Sequence, residues 1–213
     1  MNTQTREFAR FLKLLSDNDC LKHVVLVGSW AEYLYYECGV LKGFEPNIKT
    51  MDIDFLIKNM RRPAKPVSLT SLAKEAGYLV NVDRITGTTK IYERSGLEIE
   101  FLIGKAGAGK EAALKTNIGV TAQSLWHMNI LTSWALEVEY LGMTVSVPAP
   151  EAYTLHKMVI NSERKEKQVK DVQAIKGIWP FLDKDKIKQV VAHLTKKELK
   201  AVEEFKTAYN LYW

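Results

Sequence analysis

The sequence predicts an α/β (α+β) protein: a small mixed β-sheet with flanking helices, followed by a helical C-terminal domain. Three observations carry that expectation. Short β-branched or alternating runs at residues 23–27, 51–57 and 97–103 are separated by segments with apolar residues at helical spacing. Two prolines, Pro148 and Pro150, punctuate the chain, and every later segment reads as helix. The 213 residues, 46% hydrophobic and 26% charged, suffice for one large domain or two small ones.

Each element has its own local reason. Residues 3–17 put Phe8, Phe11, Leu12 and Leu15 on one helical stripe. Residues 23–27, HVVLV, read as a buried strand that Gly28 and Ser29 break. A helix over 30–37 follows, with Ser29 as candidate N-cap. Gly39, Gly43 and Pro46 make 38–50 a loop. Residues 51–57 form the second strand, and 61–66 a Pro-rich turn. A helix over 67–76 is capped by Ser68 or Thr70 and stopped by Gly77. Strands follow at 78–82 and 90–93. Ser95–Gly96 then turns into LEIEFLI at 97–103, with Leu97, Ile99, Phe101 and Ile103 on one face and Glu98, Glu100 and Leu102 on the other. Residues 131–147 form a hairpin around Leu141–Gly142. Helices are expected at 151–162, 165–177, 184–193 and 195–208. The domain boundary falls at Pro148, giving domains 1–148 and 149–213. No internal repeat or low-complexity tract is present.

Composition excludes several classes. No apolar run reaches the ~18 residues of a membrane helix, so no membrane partner is expected. The first fifteen residues are charged and helical in pattern, unlike a signal peptide. Cys20 and Cys38 are too few for a disulfide framework and lack the C-x-x-C spacing of a zinc site. A reducing cytoplasm is the simplest compartment. The net charge of +5 is concentrated from Glu151 onward, where 13 basic residues face 9 acidic ones. That suits a phosphate-bearing partner and equally a solvated Lys-rich helical face.

The chemistry is clearest at Asp52-Ile53-Asp54. A strand has a side-chain period of two, so both carboxylates leave the same face. Like charges so placed repel. An amphipathic surface strand is the structural alternative, but a divalent cation removes the penalty, and Mg²⁺ takes one or two carboxylates plus substrate phosphates. Glu98 and Glu100 repeat the pattern. If their strand lies beside 51–57, a third carboxylate joins the first two, as in two-metal phosphoryl-transfer sites. Gly28-Ser29, between a strand and a helix, adds free backbone N–H groups and a positive helix end for phosphate.

At these residues the sequence resembles the polymerase-β-type nucleotidyltransferase superfamily, through VLVGSW at 25–30, MDIDFL at 51–56 and IEFL at 99–102. The resemblance implies that Gly28 and Ser29 hold a nucleoside triphosphate and that Asp52, Asp54 and Glu100 bind two Mg²⁺ ions. Glu100 is preferred to Glu98 because Phe101 and Leu102 follow it, as Phe55 and Leu56 follow Asp54. The family more often has Asp at this third position. The long interval between Ser29 and Asp52 implies an insertion within 38–50. Lys157 in YTLHKMVI and Asp171 in RKEKQVKDVQAI narrow the resemblance to the AbiEii/AbiGii-type branch, which includes toxins of bacterial toxin–antitoxin pairs. It implies that Lys157 contacts nucleotide phosphates and that Asp171 completes the site. The implied function is Mg²⁺-dependent transfer of an NMP from an NTP to an acceptor hydroxyl on a tRNA or RNA end, a protein or a small molecule such as an aminoglycoside. An antitoxin protein is the implied partner. The structural alternatives are a solvated helix residue for Lys157 and a plain ion-pair partner for Asp171.

Two alternative functions remain. The chain can be an inactive nucleotidyltransferase-like module that binds nucleotide or a partner. It can also be a P-loop NTPase, since residues 104–110 match G-x-x-x-x-G-K; against this, Glu111 stands where the motif needs a Ser/Thr hydroxyl. In the first reading this segment is a basic loop whose Lys105 or Lys110 can reach a substrate phosphate. His23, His127, His156 and His193 lack metal-ligand spacing. His156 adjoins Lys157 and can approach the site, although a surface or half-buried position is the expectation. Trp126, Trp134, Trp179, Tyr33, Tyr35 and Tyr36 are mostly core or helix-packing candidates, with base stacking by one of them as the alternative.

Overall fold

The computed structural model describes residues 2–46, 50–105, 112–164 and 167–212. Helix α1 (Thr3–Asp17) buries Phe8, Phe11, Leu12 and Leu15, the stripe its spacing dictates, and Asn2 caps it by accepting a 2.8 Å hydrogen bond from the Thr5 N–H. Strand β1 (Val24–Val27) is buried along its whole length, as its unbroken apolar run requires. His23 lies outside it, in a 3₁₀ turn. Helix α2 (Ser29–Glu37) begins one residue earlier than its pattern suggests. Gly28 is the N-cap, and the Ser29 side chain makes no capping hydrogen bond.

The sheet is mixed. Strand β2 (Asp52–Ile57) pairs antiparallel with β1 and parallel with β5 (Glu98–Gly104). Between them the chain makes helix α3 (Leu69–Glu75), then β3 (Leu79–Val82) and β4 (Thr89–Tyr92). Ser68 precedes α3 without a side-chain cap bond. The main order is β1-β2-β5-β4-β3. Two further strands join it, β6 (Ala113–Lys115) and β7 (Thr121–Leu125), with β7 parallel to the C-terminal end of β5. Neither is expected from the sequence: three residues, and a run with Gln123 and Ser124, carry almost no strand signature. Residues 129–133 form the short helix α4 (Asn129–Ser133), so the hairpin is narrower than expected, β8 (Ala135–Tyr140) with β9 (Met143–Pro148).

Burial follows the alternation. Ile53 and Phe55 on β2 and Ile99 and Phe101 on β5 join the core under α1, while Asp52, Asp54, Glu98 and Glu100 face away from it. Trp30, fully buried, stacks on Phe8 at 4.3 Å and meets Tyr33 edge-on at 5.6 Å. This aromatic packing fixes the start of α2 against α1. Helices α5 (Pro150–Ile160), α6 (Gln168–Ile178), α7 (Lys184–Val191) and α8 (Lys196–Tyr209) have an apolar core of their own, built on Leu155, Met158, Ile175, Ile187 and Val202 and shared with Ile130 of α4.

Candidate active site

A cavity of about 440 Å³ opens between the polar face of the sheet and helices α5 and α6. Its floor is set by register. Asp54 is the Cα partner of Glu100 across the parallel β2–β5 pair and of Val27 across β1–β2, so one carboxylate lies between the third acid and the end of β1. Asp52, Asp54 and Glu100 all line the cavity, whereas Glu98, opposite Asp52, does not. Lys90 on β4 clamps both glutamates, 2.5 Å from Glu98 and 2.6 Å from Glu100. Among the described residues neither Asp52 nor Asp54 has a basic group at ion-pair distance; Lys167 and Arg164 act on Asp54 only from farther away. Burial, then the charges of Glu100 and Asp52, push the Asp54 carboxyl up to about 6.

Gly28 is fixed by two independent constraints. Its φ is +71°, a region that favours glycine, and a Cβ there would stand 2.8 Å from Asp54 Oδ2. A side chain at this position would therefore collide with the Asp54 carboxylate. Ser29 and Trp30 follow as the first residues of α2, where N–H groups lack intrahelical acceptors and the helix end is positive. Gly28 and Ser29 both line the cavity.

The helical wall is basic. Tyr153, His156, Lys157 and Ile160 come from one face of α5, at the spacing that a helix repeats. Glu163, Arg164, Lys167, Lys170 and Asp171 follow from the turn and from α6. Lys157 Nζ donates to Asp171 Oδ1 at 2.9 Å, and Arg164 lies 3.3 Å from Asp171 Oδ2. Lys157 also sits over the Tyr153 ring at 5.0 Å, and the Tyr153 hydroxyl donates to Glu32 at 2.6 Å. Glu32 is buried on α2, and burial raises its carboxyl above the usual range.

All seven residues singled out from the sequence thus meet at one cavity: Gly28, Ser29, Asp52, Asp54, Glu100, Lys157 and Asp171. Sequence reasoning missed Tyr153, Arg164 and Lys167; helical spacing from Lys157 was the available signal for Tyr153. His156 is buried and lines the cavity, contrary to the expected surface or half-buried position, because α5 packs directly on the sheet side of the helices. Trp126 is not a packing residue either: it is 48% exposed at the cavity, beyond the end of β7. Tyr36 is half-exposed as well. Of the G-x-x-x-x-G-K match, residues 106–110, and Glu111 with them, lie outside the described residues. No group of three His, Cys, Asp or Glu side chains among the described residues already converges at metal-ligand distance.

The mixed sheet brings a Gly-Ser helix start, an Asp-x-Asp strand and a parallel neighbour carrying a glutamate to one cavity, and its fold is that of a nucleotidyltransferase. A family model described as "Nucleotidyltransferase" matches residues 6–198. The chain belongs to that family and is a transferase. Among solved structures it is similar to an antigenic nucleotidyltransferase-like protein from Paracoccidioides brasiliensis, with 12% identity, a TM-score of 0.56 and coverage of 97% of this chain and 88% of that one. It also matches the antibiotic-resistance factor ANT(2'')-Ia, with 14% identity, a TM-score of 0.47 and coverage of 99% and 95%. No curated protein matches the chain in sequence. No helix among the described residues is long and apolar enough to cross a membrane.

Proposed function

We propose that the protein transfers an NMP from an NTP to an acceptor hydroxyl in a Mg²⁺-dependent reaction at this cavity. The observation that carries the reading is the parallel β2–β5 register, which sets Asp54 beside Glu100 while Gly28 presses against Asp54 Oδ2. The donor set is hard oxygen throughout, and the crowding that raises Asp54 is what a divalent cation relieves. Asp52, Asp54 and Glu100 would hold the metal, which when bound neutralises phosphate charge and eases ionisation of the attacking hydroxyl. Glu100 must share its oxygens between that role and Lys90.

The chain's own groups do the rest. The N–H groups at the start of α2 bind the β and γ phosphates, with Ser29 beside them. Lys157 neutralises the charge that develops on the departing pyrophosphate, and Asp171 with the Tyr153 ring holds its ammonium in place. Arg164, Lys167 and Lys170 enlarge the positive field on the same wall. The acceptor oxygen bonds to the α-phosphorus in line as the bond to pyrophosphate breaks. Assignment to the AbiEii-like branch, with a cytoplasmic toxin role and an antitoxin partner, rests on the sequence resemblance at Lys157 and Asp171; their ion pair is also what a plain structural role for Asp171 predicts.

Incubation with each α-³²P-labelled NTP plus cellular RNA and cellular protein tests the reading. Label in one fraction, lost in Asp54→Asn, is the expected result; no label with any acceptor would refute it. Growth arrest on induction, relieved by Asp54→Asn, is the expected sign of the toxin role. The Lys90 clamp on Glu100 favours one second reading, a module that binds NTP without turnover. Mg²⁺-dependent NTP binding with no transfer to any acceptor selects it.

A further inference from the structure

The cavity has a half that these roles leave unused. Across the sheet, its floor runs from Gly28 and Ser29 through Asp52 and Asp54 on β2 to Glu100 on β5, and then onward to β7. Beyond the carboxylates the lining passes to Leu102 on β5 and to Gln123, Ser124, Leu125 and Trp126 at the end of β7, with Met128 beside them. Trp126 stands at its lip, 48% exposed, with Lys105 Nζ 5.2 Å from the ring centroid. A large indole left in water at the mouth of a cavity forgoes the burial its area would gain. His156 lines the same cavity, is 6% exposed, and its Nε2 has no hydrogen-bond partner among the described residues. Buried polar atoms are ordinarily satisfied, so this nitrogen points to a ligand.

We propose that this half is the subsite for the nucleobase of the donor NTP, with Trp126 as its stacking surface and His156 Nε2 as a hydrogen-bonding group for the nucleoside. The inference rests on the nucleotidyl-transfer reading above. An NTP is a linear molecule. With its β and γ phosphates at Gly28–Ser29 and its α phosphate beside the carboxylates, its nucleoside falls toward the end of β7, where Trp126 stands. A base has two π faces for an indole and a polar edge for an imidazole. Burial, together with the charges of Lys157 and Arg164, pushes the His156 imidazole down to about 3, so it stays neutral near pH 7 and offers one donor and one acceptor. His127, next to Trp126 in the chain, is close enough to act electrostatically on His156.

Equilibrium binding in Mg²⁺ buffer without acceptor tests it, with the four NTPs and inorganic tripolyphosphate as probes. The wild type is expected to bind NTP about 10-fold or more tightly than tripolyphosphate. Trp126→Ala weakens NTP binding by about 5- to 100-fold, and His156→Phe by about 10-fold, each with tripolyphosphate affinity unchanged. Trp126→Phe guards against misfolding of the alanine variant: NTP, but not tripolyphosphate, quenches emission in the wild type, and the quench disappears in the variant. Equal affinity for NTP and tripolyphosphate overturns the inference while leaving the transfer reading intact. So does wild-type NTP binding by Trp126→Ala, the result expected if the indole serves the acceptor. Binding of neither probe overturns the transfer reading and the inference together.

Discussion

Asp54→Asn isolates the energetic cost of the crowded carboxylates. In the folded chain this carboxyl is pushed from 3.8 up to about 6 by burial and by Glu100 and Asp52. The native state therefore favours the protonated form. Its stability relative to the unfolded chain is greatest below pH 3.8 and is lost as the pH rises through 6. A gap of about two pH units corresponds to about 3 kcal/mol, and solvent in the open cavity screens part of it, leaving about 1.5 kcal/mol as a working figure. Asparagine keeps the shape and never ionises. Without metal, the variant is expected to melt about 5 °C above the wild type at pH 8, with most of the advantage gone by pH 4. Mg²⁺ narrows the difference at pH 8 by stabilising the wild type. Calorimetry at both pH values, with and without Mg²⁺, measures each outcome. A variant less stable than the wild type at pH 8, or an equal difference at both pH values, would refute the idea that carboxylate repulsion is what the site tolerates.

Gly28→Ala is expected to lose at least about 1–2 kcal/mol from its left-handed φ alone, plus the contact with Asp54 Oδ2; urea melts should show a smaller loss in an Asp54→Ala background, and equal losses would place the clash elsewhere. Lys157→Met leaves Asp171, whose side chain is 3% exposed, with Arg164 as its remaining cation; a loss of about 3 kcal/mol is expected, partly recovered by adding Asp171→Asn. Glu198→Ala removes both the capping box of α8 with Thr195 and the 2.6 Å tie to His127, so its Tm should fall by a few degrees, about 1–2 kcal/mol; an unchanged Tm would show that α8 is held by its apolar face alone.

The parts of the site that depend on a few consecutive residues were legible. Alternation placed Asp52 with Asp54 and Glu98 with Glu100, because a strand sends every second side chain to the same face whatever surrounds it. The Gly28–Ser29 break was legible for the same local reason, although the structure moves the helix start from Trp30 to Ser29. Strand β7 was not, since its pattern T-A-Q-S-L carries little strand signature and it is held by pairing with β5 and β6. The first turn of the expected 131–147 hairpin is instead part of α4, whose Ile130 packs with the C-terminal helices and Leu131 with β1 and β2, partners far away in the chain. Trp126 and His156 were misread because exposure depends on what the rest of the chain leaves uncovered.

By itself, then, the sequence determined which side chains share a face: acids opposite core residues on β2 and β5 and an apolar stripe on α1, with a Gly-Ser break between β1 and α2. Those are consequences of backbone periodicity and sterics, which act over a few residues. The tertiary structure alone decided that β5 returns parallel to β2 after the α3–β3–β4 excursion, that Glu100 and not Glu98 faces the cavity, and that Lys90, Lys157 and Asp171 close around it. Pairing register and helix docking are set by burying apolar faces against partners far along the chain, and that burial is what gathers charges from β2, β4, β5, α5 and α6 into one electrostatic site.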